Sequence, residues 1–177
     1  MPEFSLPQIT LVLGGAASGK SAFAETLVVG TGRPRVYLAT AQVYDTEMAD
    51  KVSAHQAQRG DEWHTIEAPR DIAAPLEAVT ADQIVLLDCA TLWLSNALLA
   101  NPPAPDTVND FMNALAACPA PVVVVSNEVG AGIVPDNALA RAFRNAQGAL
   151  NQEIAARAEL VVNVIAGLPM TLKGDLP

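Results

Sequence analysis

The chain has 177 residues, 51% of them apolar, and a formal net charge of −9. That length suits one domain spanning residues 1–177, with a full core. No basic stripe is visible and no apolar run reaches membrane-spanning length, which argues against a nucleic-acid partner and against a membrane-embedded protein.

The opening MPEFSLPQIT lacks a basic segment followed by a long apolar one, so a cytoplasmic location is expected. Gln8 to Leu13 reads as a buried strand. It runs into GGAASGKS at 14–21, where Gly14, Gly19, Lys20 and Ser21 fit the phosphate-binding pattern G-x-x-x-x-G-K-[ST]. Gly14, Gly15 and Gly19 are expected to let the backbone curl. The N–H groups from Gly14 through Ala16, Ala17 and Ser18 then face one anion. A helix from Lys20 to about Val29 adds the positive end of its dipole. Lys20 is one of only three lysines; it would reach the β- and γ-phosphates, and the Ser21 hydroxyl would ligate Mg²⁺.

Arg35 to Ala39 is the second strand. Thr40, Ala41 and Gln42 follow at its carboxyl end, where parallel α/β sheets gather their ligands. Asp45 to Arg59 reads as a helix, with Lys51, His55 and Arg59 spaced i, i+4, i+8 on one face. Two cations beside an imidazole disfavour its protonation, and a neutral imidazole is a nucleophile. The same spacing also fits a solvated basic face. His64 reads as a surface or packing residue within a short extended segment, HTIEA. Asp71 to Thr80 is a modest helix, with Pro75 near its first turn or at a break.

Gln83 to Asp88 is a buried strand ending in an acid, which suits a second, metal-binding strand of a nucleotide site. Cys89 and Cys118 lack metal-ligand spacing and are expected to be reduced core thiols. Thr91 to Ala100 is a helix apolar enough for core or subunit contact. Asn101 to Asp106 is a proline-rich loop, and a helix runs on to about Ala117. Val122 to Val125 is a strand buried on both faces. It ends in Ser126, Asn127 and Glu128 and a second glycine-containing loop, VGAGIVP. Asp136 to about Ala158 is a long helix carrying Arg141, Arg144 and Asn145. Glu159 to Ile165 is the last strand expected, and Gly167 to Pro177 shows little pattern. Strands and helices alternate with no repeat or linker. The expected fold is therefore α/β: a mostly parallel sheet with helices on both faces, a three-layer fold of the P-loop NTPase type.

Several segments together resemble one family, the bifunctional adenosylcobinamide kinase / adenosylcobinamide-phosphate guanylyltransferases of cobalamin biosynthesis. They are GGAASGKS at 14–21, YLATAQ at 37–42, EMADKVSAHQAQRGDEWHTIEAP at 47–69, LLDCATLWLSN at 86–96, SNEVGAGIVP at 126–135 and RAFRNAQGALNQ at 141–152. The resemblance implies two reactions. ATP or GTP phosphorylates the aminopropanol hydroxyl of adenosylcobinamide. GTP then guanylylates an enzyme histidine, and the GMP passes on to give adenosylcobinamide-GDP.

It implies His55 as that histidine and Lys20 as its catalytic companion. It implies a nucleotide site of Gly14–Ser21, Thr40, Ala41, Gln42, Gln56, Ala57, Gln58, Arg59, Glu67 and Asp88, with Mg²⁺ on Ser21 and Asp88. Asp88 stands where relatives carry Glu, keeping the charge with a shorter reach. Asn145 stands where an acid would be expected, so no kinase base is assigned. The family also implies a homotrimer. Two other readings compete with it. One is a small-molecule or nucleotide kinase of the same fold that lacks the transferase step. The other is a P-loop ATPase that switches a partner.

Overall fold

The computed structural model describes residues 4–42, 62–100 and 107–177. The expected helix over 45–59, with Lys51, His55, Gln56, Ala57, Gln58 and Arg59, lies outside the described residues, as does the loop at 101–106. The elements in chain order are β1 (Ile9–Gly14), α1 (Lys20–Gly30), β2 (Arg35–Ala39), β3 (Trp63–Glu67), α2 (Ala73–Ala78), β4 (Ile84–Asp88), α3 (Ala90–Leu98), α4 (Thr107–Ala117), β5 (Val122–Asn127), α5 (Ala138–Arg157), β6 (Leu160–Ile165) and β7 (Leu168–Lys173).

The strands form one sheet in the order β3-β2-β4-β5-β1-β6-β7. Every pair is parallel except β6–β7. The apolar runs of the sequence explain this burial. In β1, β4, β5 and β6, successive residues enter opposite cores, so both must be apolar. Val12, Leu86, Val123, Val125 and Val162 pack with Ala24, Leu27 and Val28 of α1 on one face. Leu11, Leu87, Val124 and Val161 pack on the other with Leu76 of α2, Trp93 of α3, Phe111 and Leu115 of α4, and Leu150 and Ile154 of α5. There the Trp93 and Phe111 rings meet at 4.4 Å between centroids, a contact worth about 0.5–1.5 kcal/mol beyond its buried area. Both cysteines are free and buried, as expected.

Two expectations need correction. First, α2 is shorter than Asp71 to Thr80. The Asp71 carboxylate accepts the Ala73 and Ala74 N–H groups at 3.0 and 3.4 Å, which holds residue 71 outside the helix, ahead of its N-cap Ile72. Second, the tail after Gly167 is not patternless. Ala166 and Gly167 both have positive φ, 53° and 78°, forming a two-residue hairpin turn. Beyond it, β7 pairs antiparallel with β6, Ile165 opposite Leu168.

The carboxyl edge of the sheet is stepped. Ala39 pairs with both Glu67 and Asp88, and Asp88 with Val125. Val125 in turn pairs with Val12, while β1 and β5 run on for two more residues to Gly14 and Asn127. At about 3.3 Å per residue, this leaves a shelf over β2, β3 and β4 about 7 Å below the start of the phosphate loop.

Candidate active site

The phosphate loop joins β1 to α1. Its backbone passes through a left-handed residue at Ala17 (φ 54°) and another at Gly19 (φ 90°). Glycine at 19 is required twice over. The left-handed conformation disfavours a side chain, and a Cβ would sit 3.1 Å from the Gly167 Cα. At Gly14 the reason is space: a Cβ would strike Ser18 Oγ and stand 2.8 Å from the Val164 carbonyl oxygen. Gly15 differs from expectation. Its φ is not positive and a Cβ there would meet nothing, so the left-handed turn falls on Ala17 instead. The loop is also held from outside its own strand: the Gly167 N–H donates to the Ser18 carbonyl at 2.8 Å.

Lys20 Nζ donates to the Gly15 carbonyl at 3.1 Å, so the ammonium folds back over the loop. It opens α1, with Ser21 beside it in the first turn. Asp88 ends β4, two strands from β1 in the sheet, about 10 Å away at the usual strand spacing. Strand alternation puts Asp88 on the same face as Leu86, the face that α1 covers. Tyr37, a buried residue on that face, donates its hydroxyl to Asp88 Oδ2 at 3.0 Å. Lys20 and Asp88 both act on the Cys89 thiol. Burial pushes that thiol up to about 11, the Asp88 charge adds to the shift, and N–H groups of Leu92 and Thr91 and the Lys20 charge oppose it.

Thr40 reaches the edge as expected, but every polar group it has is in use. Its hydroxyl donates to the Cys89 carbonyl at 2.7 Å and accepts the Cys89 N–H at 2.8 Å. Its N–H donates to the Asp88 carbonyl, and its own carbonyl accepts from Asn96 Nδ2 at 2.8 Å. Fully buried, Thr40 clamps β2 to the turn after β4. Ala41 and Gln42 continue from it, partly exposed. Glu67 is exposed at the end of β3, four strands from β1. The structure thus brings Gly14–Ser21, Thr40–Gln42 and Asp88 to one edge and leaves Glu67 at its far end.

The second loop leaves the end of β5. Glu128 N–H donates to the Gly14 carbonyl at 3.0 Å, extending the β1–β5 ladder by one bond. The Asn127 N–H donates to Thr91 Oγ1 at 2.8 Å, and the Asn127 carbonyl accepts from Asn151 Nδ2 at 3.0 Å. Beneath it, the buried side chains of Ser126, Gln147 and Asn151 bond one another. Sequence reasoning missed Tyr37, Asn96 and Gly167. The first two act through contacts distant in sequence. Gly167 had a local signal, an Ala-Gly pair between alternating residues.

Among the described residues, no group of three or more His, Cys, Asp or Glu side chains could hold a metal. The donors Ser21 and Asp88 nonetheless fit Mg²⁺, which keeps several waters and takes one or two protein ligands plus phosphate oxygens.

A sequence profile described as cobinamide kinase / cobinamide phosphate guanyltransferase matches residues 10–172. The chain belongs to this family. It is a bifunctional transferase, and the expected resemblance is borne out. The bifunctional adenosylcobalamin biosynthesis protein CobP of Pseudomonas aeruginosa is 43% identical over 93% of this chain and 97% of its own. The corresponding CobU of Salmonella typhimurium is 40% identical over 92% and 98%. Among solved structures, a type III secretion ATPase of pathogenic bacteria superposes with a TM-score of 0.56 at 12% identity, covering 94% of this chain and 57% of that one. That likeness shows the fold alone, a P-loop three-layer α/β fold.

Proposed function

We propose that this family member runs both reactions at the stepped edge of the sheet. In the first, ATP or GTP phosphorylates the aminopropanol hydroxyl of adenosylcobinamide. In the second, GTP guanylylates His55 with loss of pyrophosphate, and the GMP passes to adenosylcobinamide phosphate. The observation that carries this reading is the phosphate loop, closed by a tightly packed glycine at 14 and a left-handed one at 19. Lys20 leaves the Gly15 carbonyl for a phosphate oxygen and neutralises charge that builds up during transfer. The N–H groups of 14–21 hold the remaining phosphate oxygens. Ser21 and Asp88 would hold Mg²⁺, which would supply charge neutralisation at the phosphates. Thr40, Ala41, Gln42, Gln56, Ala57, Gln58, Arg59 and Glu67 complete the nucleotide site.

The protein acts in the cytoplasm as a homotrimer. Support for the first is that no helix among the described residues is long and apolar enough to cross a membrane. Support for the second is the exposed apolar surface at Leu98, Leu99 and Leu139.

The test is intact-protein mass after incubation with GTP and Mg²⁺. The native chain is expected to gain one GMP, lost again in acid as a phosphoramidate is, and His55→Ala to gain none. A gain that persists in His55→Ala would overturn the residue assignment. No gain in the native chain, with phosphorylation of adenosylcobinamide intact, would leave a kinase alone.

A further inference from the structure

The kinase step releases a proton from the acceptor hydroxyl, and no residue has yet been given it. Three described strands present a carboxylate at this edge. Glu67 lies four strands from the phosphate loop. Asp88 lies a step lower and is tied to Tyr37. Glu128 is the immediate neighbour of the loop's first residue through its N–H to the Gly14 carbonyl.

Three features prepare Glu128 for chemistry. It is exposed, so a substrate hydroxyl can reach it. Its backbone is fixed from both sides, by Gly14 and by the contacts of Asn127 to Thr91 and Asn151. Its carboxylate is also oriented, because Oε1 accepts the Gly130 N–H. A Cβ at position 130 would lie 2.7 Å from that oxygen, so a side chain there would make the carboxylate shift. Arg144 in turn donates to the carbonyls of Gly130 and Gly132, and Arg141 to those of Pro135 and Asp136 at 2.9 and 2.8 Å. Both arginines pin the loop to α5.

We infer that Glu128 is the proton acceptor of the kinase step, a role that rests on the function proposed above. The acceptor oxygen forms a bond to the γ-phosphorus of the nucleoside triphosphate. The β,γ-bridging P–O bond breaks, and its electron pair leaves with the nucleoside diphosphate. The hydroxyl proton goes to Glu128 Oε2 and then to solvent. Positioned proton transfer of this kind contributes about 10²–10⁴-fold.

Glu128→Gln tests this, because the amide oxygen still accepts the Gly130 N–H and the loop keeps its hold. Phosphorylation of adenosylcobinamide by ATP should fall in kcat by about 10²–10⁴-fold, with a much smaller change in the KM for ATP. Glu128→Asp should fall between the two. The yield of the GMP adduct with GTP should drop far less than the kinase rate. Kinase turnover near the native rate in Glu128→Gln would overturn the inference. Parallel loss of both activities with a lowered Tm would also overturn it, by showing a role in folding the loop. A native enzyme that makes no adenosylcobinamide phosphate would instead sink the reading on which the inference rests.

Discussion

Two loops leave adjacent strands at the same edge, and they are built on opposite principles. The loop at 14–21 is held by what is missing: side chains at 14 and 19 that would collide with Ser18, Val164 and Gly167. The loop after Asn127 is held by what is present, two arginines and a glutamate that occupy its carbonyls and an N–H. The first packs its backbone closely and spends its side chains sparingly. The second consumes its backbone internally and turns outward apolar side chains, with Ile133 97% exposed. A site that must grip phosphate in one geometry gains from steric closure. One that meets a large second substrate gains from a surface whose seat is set by replaceable contacts.

Substitutions at glycines should break this contrast most sharply. Gly14→Ala should cost about 3 kcal/mol and abolish nucleotide binding, since the Val164 carbonyl belongs to a strand paired on both sides and resists moving. Gly132→Ala in the second loop meets nothing within 4 Å and should stay within about 0.5 kcal/mol of native. Denaturant unfolding and nucleotide titration check both. Equal costs would show that the two loops are not held differently.

The polar support below Asn127 comes next. Ser126→Ala removes one of three buried partners and should cost about 1–3 kcal/mol, read as a shift in unfolding midpoint at unchanged slope. Asn137 caps α5 by accepting the Ala140 N–H at 2.8 Å. Asn137→Ala should cost about 1 kcal/mol and loosen the second loop, measured by amide exchange at 129–136, while leaving exchange at 14–21 unaltered.

The smallest effect concerns Cys89. With its thiol raised from 9.0 to about 11, the native state holds this proton more tightly than the unfolded chain. Its contribution to stability is intact below about pH 9 and is lost as pH rises towards 11. Alkylation at pH 8 should be slow in the native protein and fast in denaturant, with no change in nucleotide affinity as long as the thiol stays unmodified.

Much of this was legible beforehand. Phosphate loop, central strands and the acid that ends β4 are local patterns, and local patterns survive being read one residue at a time. Thr40 shows the limit. Its place at a strand end suggested a ligand, but the structure spends its hydroxyl on Cys89, which lies far along the chain. Gly15 shows another: the motif suggests a glycine's freedom there, whereas the left-handed turn falls on Ala17. The last strand was missed because Leu168, Met170 and Leu172 alternate on an exposed edge, where the hydrophobic signal of a buried strand is weak. Lys51, His55 and Arg59 lie outside the described residues, so their shared face rests on helical spacing and on the family.

The bond from Gly167 to Ser18 also carries a consequence for synthesis. The glycine motif leaves the ribosome well before the turn that braces it. Until that turn emerges, the nascent chain lacks both the N–H that fixes the Ser18 carbonyl and the β6 wall beside Gly14. The brace therefore forms only after the turn at 166–167 has been made, and a chain interrupted before it carries the motif without that hold.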